Sequence, residues 1–155
     1  IDPRDLPPRA GSRPRTSSRN PHMQLDQNAS AALVDRLAEQ AFALPNVEER
    51  LSAVSVPGAR ALWLPDDLPA GPPEAFMVER EFAHIHPLPD GSLHMALPSS
   101  VAAEAVAKGW AEPHPMARLG YVPETVVMVY GPRDTEELEV IMALLRASHH
   151  AATHG

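Results

Sequence analysis

Two short segments, Phe82–His86 and Ser92–Leu97, alternate in residue type and are joined by Pro87-Leu88-Pro89-Asp90-Gly91. A five-residue connection with Asp-Gly, where a tight turn needs positive φ, makes them a β-hairpin. If His86 pairs with Ser92, the register puts His84 directly across from His94. Residues two apart on a strand share a face. His84, His86 and His94 therefore lie together, with Phe82, Ser92 and Ala96, while Ala83, Ile85, Leu93, Met95 and Leu97 gather on the other face. That apolar face has to be covered, and helices are the available cover.

The rest of the chain supplies them. Leu33, Leu37, Ala41 and Leu44 recur at helical spacing, with Asn28 or Ser30 to cap the start and Pro45 to end the run. Ala61–Leu64 reads as a strand before a proline-stiffened loop, and Glu74–Val78 as a second strand. Pro98-Ser99-Ser100 opens an alanine-rich helix, Val101 to Lys108, that Gly109 closes, and Trp110–Pro115 follows as a loop. Val126–Tyr130 is the most apolar β-branched run and is expected to be a central strand. Asp134 and Glu137 are spaced as a capping box for a last helix with Leu138, Ile141, Met142 and Leu145 as its buried stripe, frayed from Ser148. This order gives an α+β fold: one compact domain with a mainly antiparallel sheet and helices packed on one face. No glycine-rich phosphate loop follows a strand, which argues against a nucleotide-binding fold.

Composition separates the first 22 residues from the rest. They carry five arginines and five prolines with a charge of +3, against −10 for residues 23–155. With almost no apolar periodicity, residues 1–22 read as a disordered basic leader added before a natural start at Met23; a transit peptide is the second reading. The domain is then 23–155. Its acidic surface argues against a nucleic-acid partner. No apolar stretch approaches the roughly 20 residues that span a bilayer, so no membrane partner is expected. With no cysteine in the chain, thiolate chemistry and disulfides are excluded, which fits a cytoplasmic location. The oligomeric state is open.

Chemistry concentrates on histidine. An imidazole titrates near neutrality, donates at one nitrogen and accepts at the other, and ligates metals when neutral. Crowded rings depress one another's pKa, which favours neutral bases or ligands. His114, fixed between Pro113 and Pro115, is aimed at a partner, so His84, His86, His94 and His114 form the candidate catalytic set. Trp110, Glu112 and Trp63 are the candidate substrate-binding residues, the tryptophans as core or as a stacking wall for a planar ligand. Two alternatives stay open: a polar sheet face of satisfied histidines, and a metal site on His84, His86 and His94 with His114 beside it. His149, His150 and His154 fall in the expected loose tail. The residues fix no cofactor.

Several motifs in order carry a resemblance: Ala61-Leu62-Trp63-Leu64, Gly71–Phe76, Glu81–Pro87, Asp90–His94, Lys108–Pro115 and Val129–Arg133. Through them the chain, from about Gly58 to Ser148, resembles the luciferase-like domain family of bacterial and fungal proteins, which includes the luciferase of luminous fungi. The resemblance implies oxidation of a hydroxylated α-pyrone by molecular oxygen without flavin or nicotinamide. It makes this chain a candidate cofactor-independent oxygenase acting on a planar hydroxylated aromatic or pyrone-like small molecule, with histidine as the base. A non-catalytic module binding a small aromatic ligand is the alternative.

Overall fold

The computed structural model describes residues 1–154, Arg118 by its backbone alone. Six antiparallel strands form one sheet in the order β1-β2-β3-β4-β6-β5: β1 Glu48–Leu51, β2 Arg60–Trp63, β3 Glu81–Ile85, β4 Leu93–Ala96, β5 Ala111–Pro113 and β6 Val126–Val129. The β3–β4 hairpin has the register read from its turn, with His84 opposite His94 and the His86 amide donating to the Ser92 carbonyl at 2.8 Å. Its apolar residues Ala83, Ile85, Leu93 and Met95 join Val127 and Val129 in the core. Three helices complete that core: α1 Ala31–Phe42, α2 Ser99–Ala107 and α3 Thr135–Thr153. The α+β architecture is the one the order of elements implies.

The helix caps follow sequence chemistry. The Ser30 hydroxyl accepts the Leu33 amide, and the Asp134 carboxylate accepts the Glu137 amide at 2.8 Å. Glu137 reaches back to the Arg133 amide and guanidinium, so the box closes one residue earlier than in its simplest form. Far from fraying at Ser148, α3 continues to Thr153; Ser148 is buried and donates to the Phe82 carbonyl. Packing against the sheet sustains a stretch whose alanines and histidines show no strong stripe.

Other expectations are corrected. Glu74–Val78 is not a strand: residues 73–75 form a 3-10 turn, and only Val78 bridges to Glu81. Pro72 and Pro73 fix φ and lack the amide donors a ladder needs. The Trp110–Pro115 loop contains β5, which pairs with β6 through Ala111 and Val129. Strand β1, Glu-Glu-Arg-Leu, has no apolar alternation to announce it; it is an exposed, charged edge, held to β2 partly by Arg60 on Glu49.

The pairing of β2 with β3 slips by one residue. Leu62 faces Ala83 but Trp63 faces Glu81, so Phe82 is the extra residue of a β-bulge. Phe82 consequently leaves the histidine face, where alternation had put it, and packs toward α3 with its ring 5.8 Å from that of His149. Glu81 takes its place beside His84.

Residues 1–22 are not a loose leader. Leu6 and Arg9 are buried, the Trp110 indole donates to the Pro7 carbonyl at 2.7 Å, and Lys108 donates to the Leu6 carbonyl. Thr16 bridges Gln24, and Arg13 donates to the Ala111 carbonyl. A segment without periodicity can still pack when prolines hold it extended and a buried indole needs an acceptor. Removing residues 1–22 should therefore lower the melting temperature by several degrees and expose Trp110, checked by thermal denaturation followed by tryptophan fluorescence.

Gly131 is required for close approach rather than for an unusual angle: a Cβ there would lie 2.7 Å from the Gly91 carbonyl oxygen. Gly131→Ala is expected to cost about 1–3 kcal/mol as overpacking against rigid backbone, read from urea denaturation.

Candidate functional site

The face of the sheet away from the helices carries a cavity of about 680 Å³. His84 and His86 from β3 and its end, His94 from β4, His114 from the end of β5 and His22 from the N-terminal segment line it together. Ring centroids of His94 lie 4.7 to 5.1 Å from those of His86, His114, His22 and His84, so His94 is the hub. The four histidines picked out by sequence thus share one site.

Four of these rings are anchored from outside the cluster at one nitrogen. His84 Nδ1 meets Glu81 Oε2 at 2.8 Å, and His22 Nε2 meets Glu112 Oε2 at 2.8 Å. His86 Nδ1 meets the Ser92 hydroxyl at 2.9 Å, and that hydroxyl donates to Asp90. His114 Nδ1 accepts the Met116 amide at 3.0 Å. The inward nitrogens of two of them meet His94: His84 Nε2 to His94 Nδ1 at 3.1 Å, and His22 Nδ1 to His94 Nε2 at 2.9 Å. A continuous line results, Glu81–His84–His94–His22–Glu112.

The electrostatics are those of buried rings. Burial, aided by the neighbouring imidazoles, lowers His86 to about 3 and His114 to about 4, and burial holds His94 well below the usual histidine range. Burial alone would raise Glu81, but hydrogen bonds from His84, the Ser52 hydroxyl and the Ala53 amide outweigh it and hold the carboxyl below its usual range. Glu112 is held down in the same way, against burial, by His22, Thr16 and Tyr130. Both ends of the line are therefore acceptors at neutral pH.

Counting protons defines what the line can do. It has four links, and three neutral imidazoles carry three protons. With both carboxylates ionised, His84 donates to Glu81 and His22 to Glu112. His94 can fill only one of its two links, and the other brings two lone pairs together at 3.1 or 2.9 Å. The network is complete only with one more positive partner.

Not all predicted residues join this site. Trp110 is buried in the core, donating to Pro7. Trp63 donates to Asp66 and lies under the Arg50 guanidinium at 4.3 Å. Neither lines the cavity, so the stacking wall is corrected. Aliphatic and thioether side chains form most of the walls instead, Val54, Val56, Met77, Val78, Met116 and Val126, and Tyr121 is the aromatic residue that joins them. Glu112 stands behind His22 as its acceptor. Sequence reasoning missed His22, which fell in the segment set aside, although Pro21 precedes it as Pro113 precedes His114. It also left Glu81 without a partner, because the bulge that turns it inward leaves no trace in residue alternation.

Burial keeps His86 and His114 neutral, and this gives a pH dependence with a definite sign. His86 and His114 hold folded values of about 3 and about 4, below the roughly 6.5 of an unfolded histidine. The unfolded chain then binds protons that the folded one refuses, so stability is full above about pH 6.5 and falls progressively as the pH drops toward 4. Melting temperatures measured from pH 8 to 4 should decline through that window, and His114→Gln should flatten the decline.

Comparison with known proteins finds similarity over the stretch that carries the site. A family model described as the Luciferase domain matches residues 79–148, the stretch that holds His84, His86, His94 and His114. Proteins named luciferase from Armillaria mellea and Armillaria ostoyae are 34% identical over 161 aligned positions, and one from Neonothopanus nambi is 31% identical over 159. Each alignment covers 93% of this chain and 60% of the relative, so the chain spans about three-fifths of the length of these proteins. No solved structure matches. Residues 79–148 thus match the Luciferase domain, and the chain is similar over most of its length to fungal proteins named luciferase.

Proposed function

We propose that this protein is an oxygenase-type enzyme that oxidises a planar, acidic hydroxy compound of the phenol, enol or hydroxypyrone kind with molecular oxygen, using a histidine of the cluster as base. The observation that carries the reading is the cavity itself: a floor of five buried or half-buried imidazoles under walls mainly of valine and methionine, with Tyr121 beside them. Such a pocket accepts a flat apolar ring and offers its hydroxyl a floor of imidazole nitrogens, with Asn20, Ser55 and Tyr121 also in the lining. The likeness to proteins named luciferase supports it from a separate side.

Two rings have inward nitrogens not engaged with His94. Ser92 passes its own proton to Asp90, so His86 donates through Nδ1 and keeps a free lone pair on Nε2. His114 accepts at Nδ1 and therefore carries its proton on Nε2. His86 is thus the base and His114 the donor to the oxyanion. The substrate O–H bond breaks, its proton passes to His86 Nε2, and the enolate becomes electron-rich. Two one-electron steps transfer its electron pair to oxygen and form a carbon–oxygen bond, and the resulting peroxide anion recovers the proton from His86. The product is a hydroperoxide or a compound formed from it. The walls limit water, which would otherwise quench the enolate.

Oxygen uptake with a panel of hydroxypyrones and catechols tests the reading. Wild type should consume oxygen with at least one of them. His86→Ala and His114→Ala should lower the rate by about 10²–10⁴-fold, the usual share of a general acid–base group, with melting temperatures close to wild type. Tight binding of these compounds without uptake would favour a ligand-binding module, and collapse of the fold in every variant would favour purely structural histidines.

A further inference from the structure

We propose that His84, His86 and His94 hold one divalent transition-metal ion, bound through Nε2 of His84, Nε2 of His86 and Nδ1 of His94. Proton and ion compete for the same lone pairs, so the inference refines the proposed function: with an ion bound, the metal polarises the acidic oxygen and His86 is a ligand rather than the base.

Three observations support it. One ring nitrogen from each of the three lies within 4.8 Å of the others. One pair, His84 Nε2 and His94 Nδ1, is 3.1 Å apart. Two imidazoles on one ion, each at about 2.0–2.1 Å with tetrahedral angles, have nitrogens about 3.3 Å apart. A separation of 3.1 Å is close to that of two ligands on one centre.

The outer partners are those a histidine ligand requires. Glu81 accepts from His84 Nδ1, and Ser92 with Asp90 behind it accepts from His86 Nδ1. These bonds fix the tautomer with the proton outside and the lone pair inside, as in carboxylate–histidine–metal arrangements.

The proton count then closes. An ion on His94 Nδ1 and His84 Nε2 replaces the link between them. Three links remain, and His84, His94 and His22 each supply one proton: to Glu81, to His22 and to Glu112. Every imidazole is neutral and no lone pairs are opposed. A second trio, His22, His94 and His114, is also within 4.8 Å, but His114 accepts the Met116 amide at Nδ1 and so has no lone pair on Nε2. Three imidazole ligands suit zinc, copper or iron rather than magnesium or calcium.

Chelator-dialysed full-length protein titrated with Co(II) tests the site by visible absorption and thermal melting. One equivalent should bind, produce the ligand-field bands of a low-coordinate nitrogen site and raise the melting temperature. His86→Gln should abolish the bands, Glu81→Gln should weaken binding about 10–100-fold, and His114→Ala or His154→Ala should leave it unchanged. Nitrogen NMR of Zn(II)-loaded wild type, which needs no variant to fold, should show metal-bound shifts at His94 Nδ1 and at Nε2 of His84 and His86. The inference is overturned if wild type binds no Co(II), if His86→Gln binds as wild type does, or if binding is lost in His114→Ala or His154→Ala. Oxygen uptake by the chelator-dialysed protein separates the two readings. Uptake without Co(II) binding removes the ion and keeps the base, while binding at the trio without uptake for any compound keeps the ion and removes the oxygenase.

Discussion

A buried imidazole is tolerated only if both of its nitrogens find suitable partners, and placing several on one face of a sheet makes that condition govern much of the molecule. The surrounding structure meets it from many directions. A bulge in β3 turns Glu81 inward, the hairpin turn supplies Asp90 and Ser92, β5 contributes Glu112, and the start of the 3-10 turn after His114 offers an amide. No buried side-chain nitrogen or oxygen among the described residues lacks a hydrogen-bond partner. Anchoring of the rings from so many sides rigidifies the cluster, and rigidity is what a site needs when ring nitrogens must be held to within fractions of an ångström.

What could be read from the sequence was the part governed by local rules. The turn Pro87–Gly91 fixed a register, and two-residue alternation then placed His84 across from His94 and the apolar residues toward the helices. Helix caps at Ser30 and Asp134 follow from single side chains. The parts that escaped are those decided by distant partners. β1 exists because β2 offers it a ladder, and β5 because β6 does. The Phe82 bulge breaks alternation by one residue, so a rule based on parity assigned Phe82 to the histidines and overlooked Glu81.

The tryptophans show the same limit from another side. Each was weighed as core or as wall, and nothing in the neighbouring residues decides between the two. The indole of Trp110 found its acceptor in Pro7, more than a hundred positions away, and Trp63 found a guanidinium above and a carboxylate beside it. The cavity therefore has mainly aliphatic walls, with Tyr121 rather than a tryptophan as its aromatic side chain, and they bind a flat ring by area and leave orientation to the nitrogens beneath. Selectivity in such a pocket rests on the acidity and position of a hydroxyl more than on stacking.

The cluster is also uneven along the chain. His84 and His94 meet across a hairpin ten positions apart, whereas His22 reaches His94 over 72 positions and Glu112 over 90. Closing a hairpin takes microseconds, while contacts between distant segments wait for the body of the fold to assemble. During folding the β3–β4 pair therefore presents two imidazoles before the partner that completes the line exists. A nascent chain would pass through a stage with part of the donor set made and its outer carboxylate at Glu112 still missing, so maturation of the site belongs to the last step of folding rather than the first.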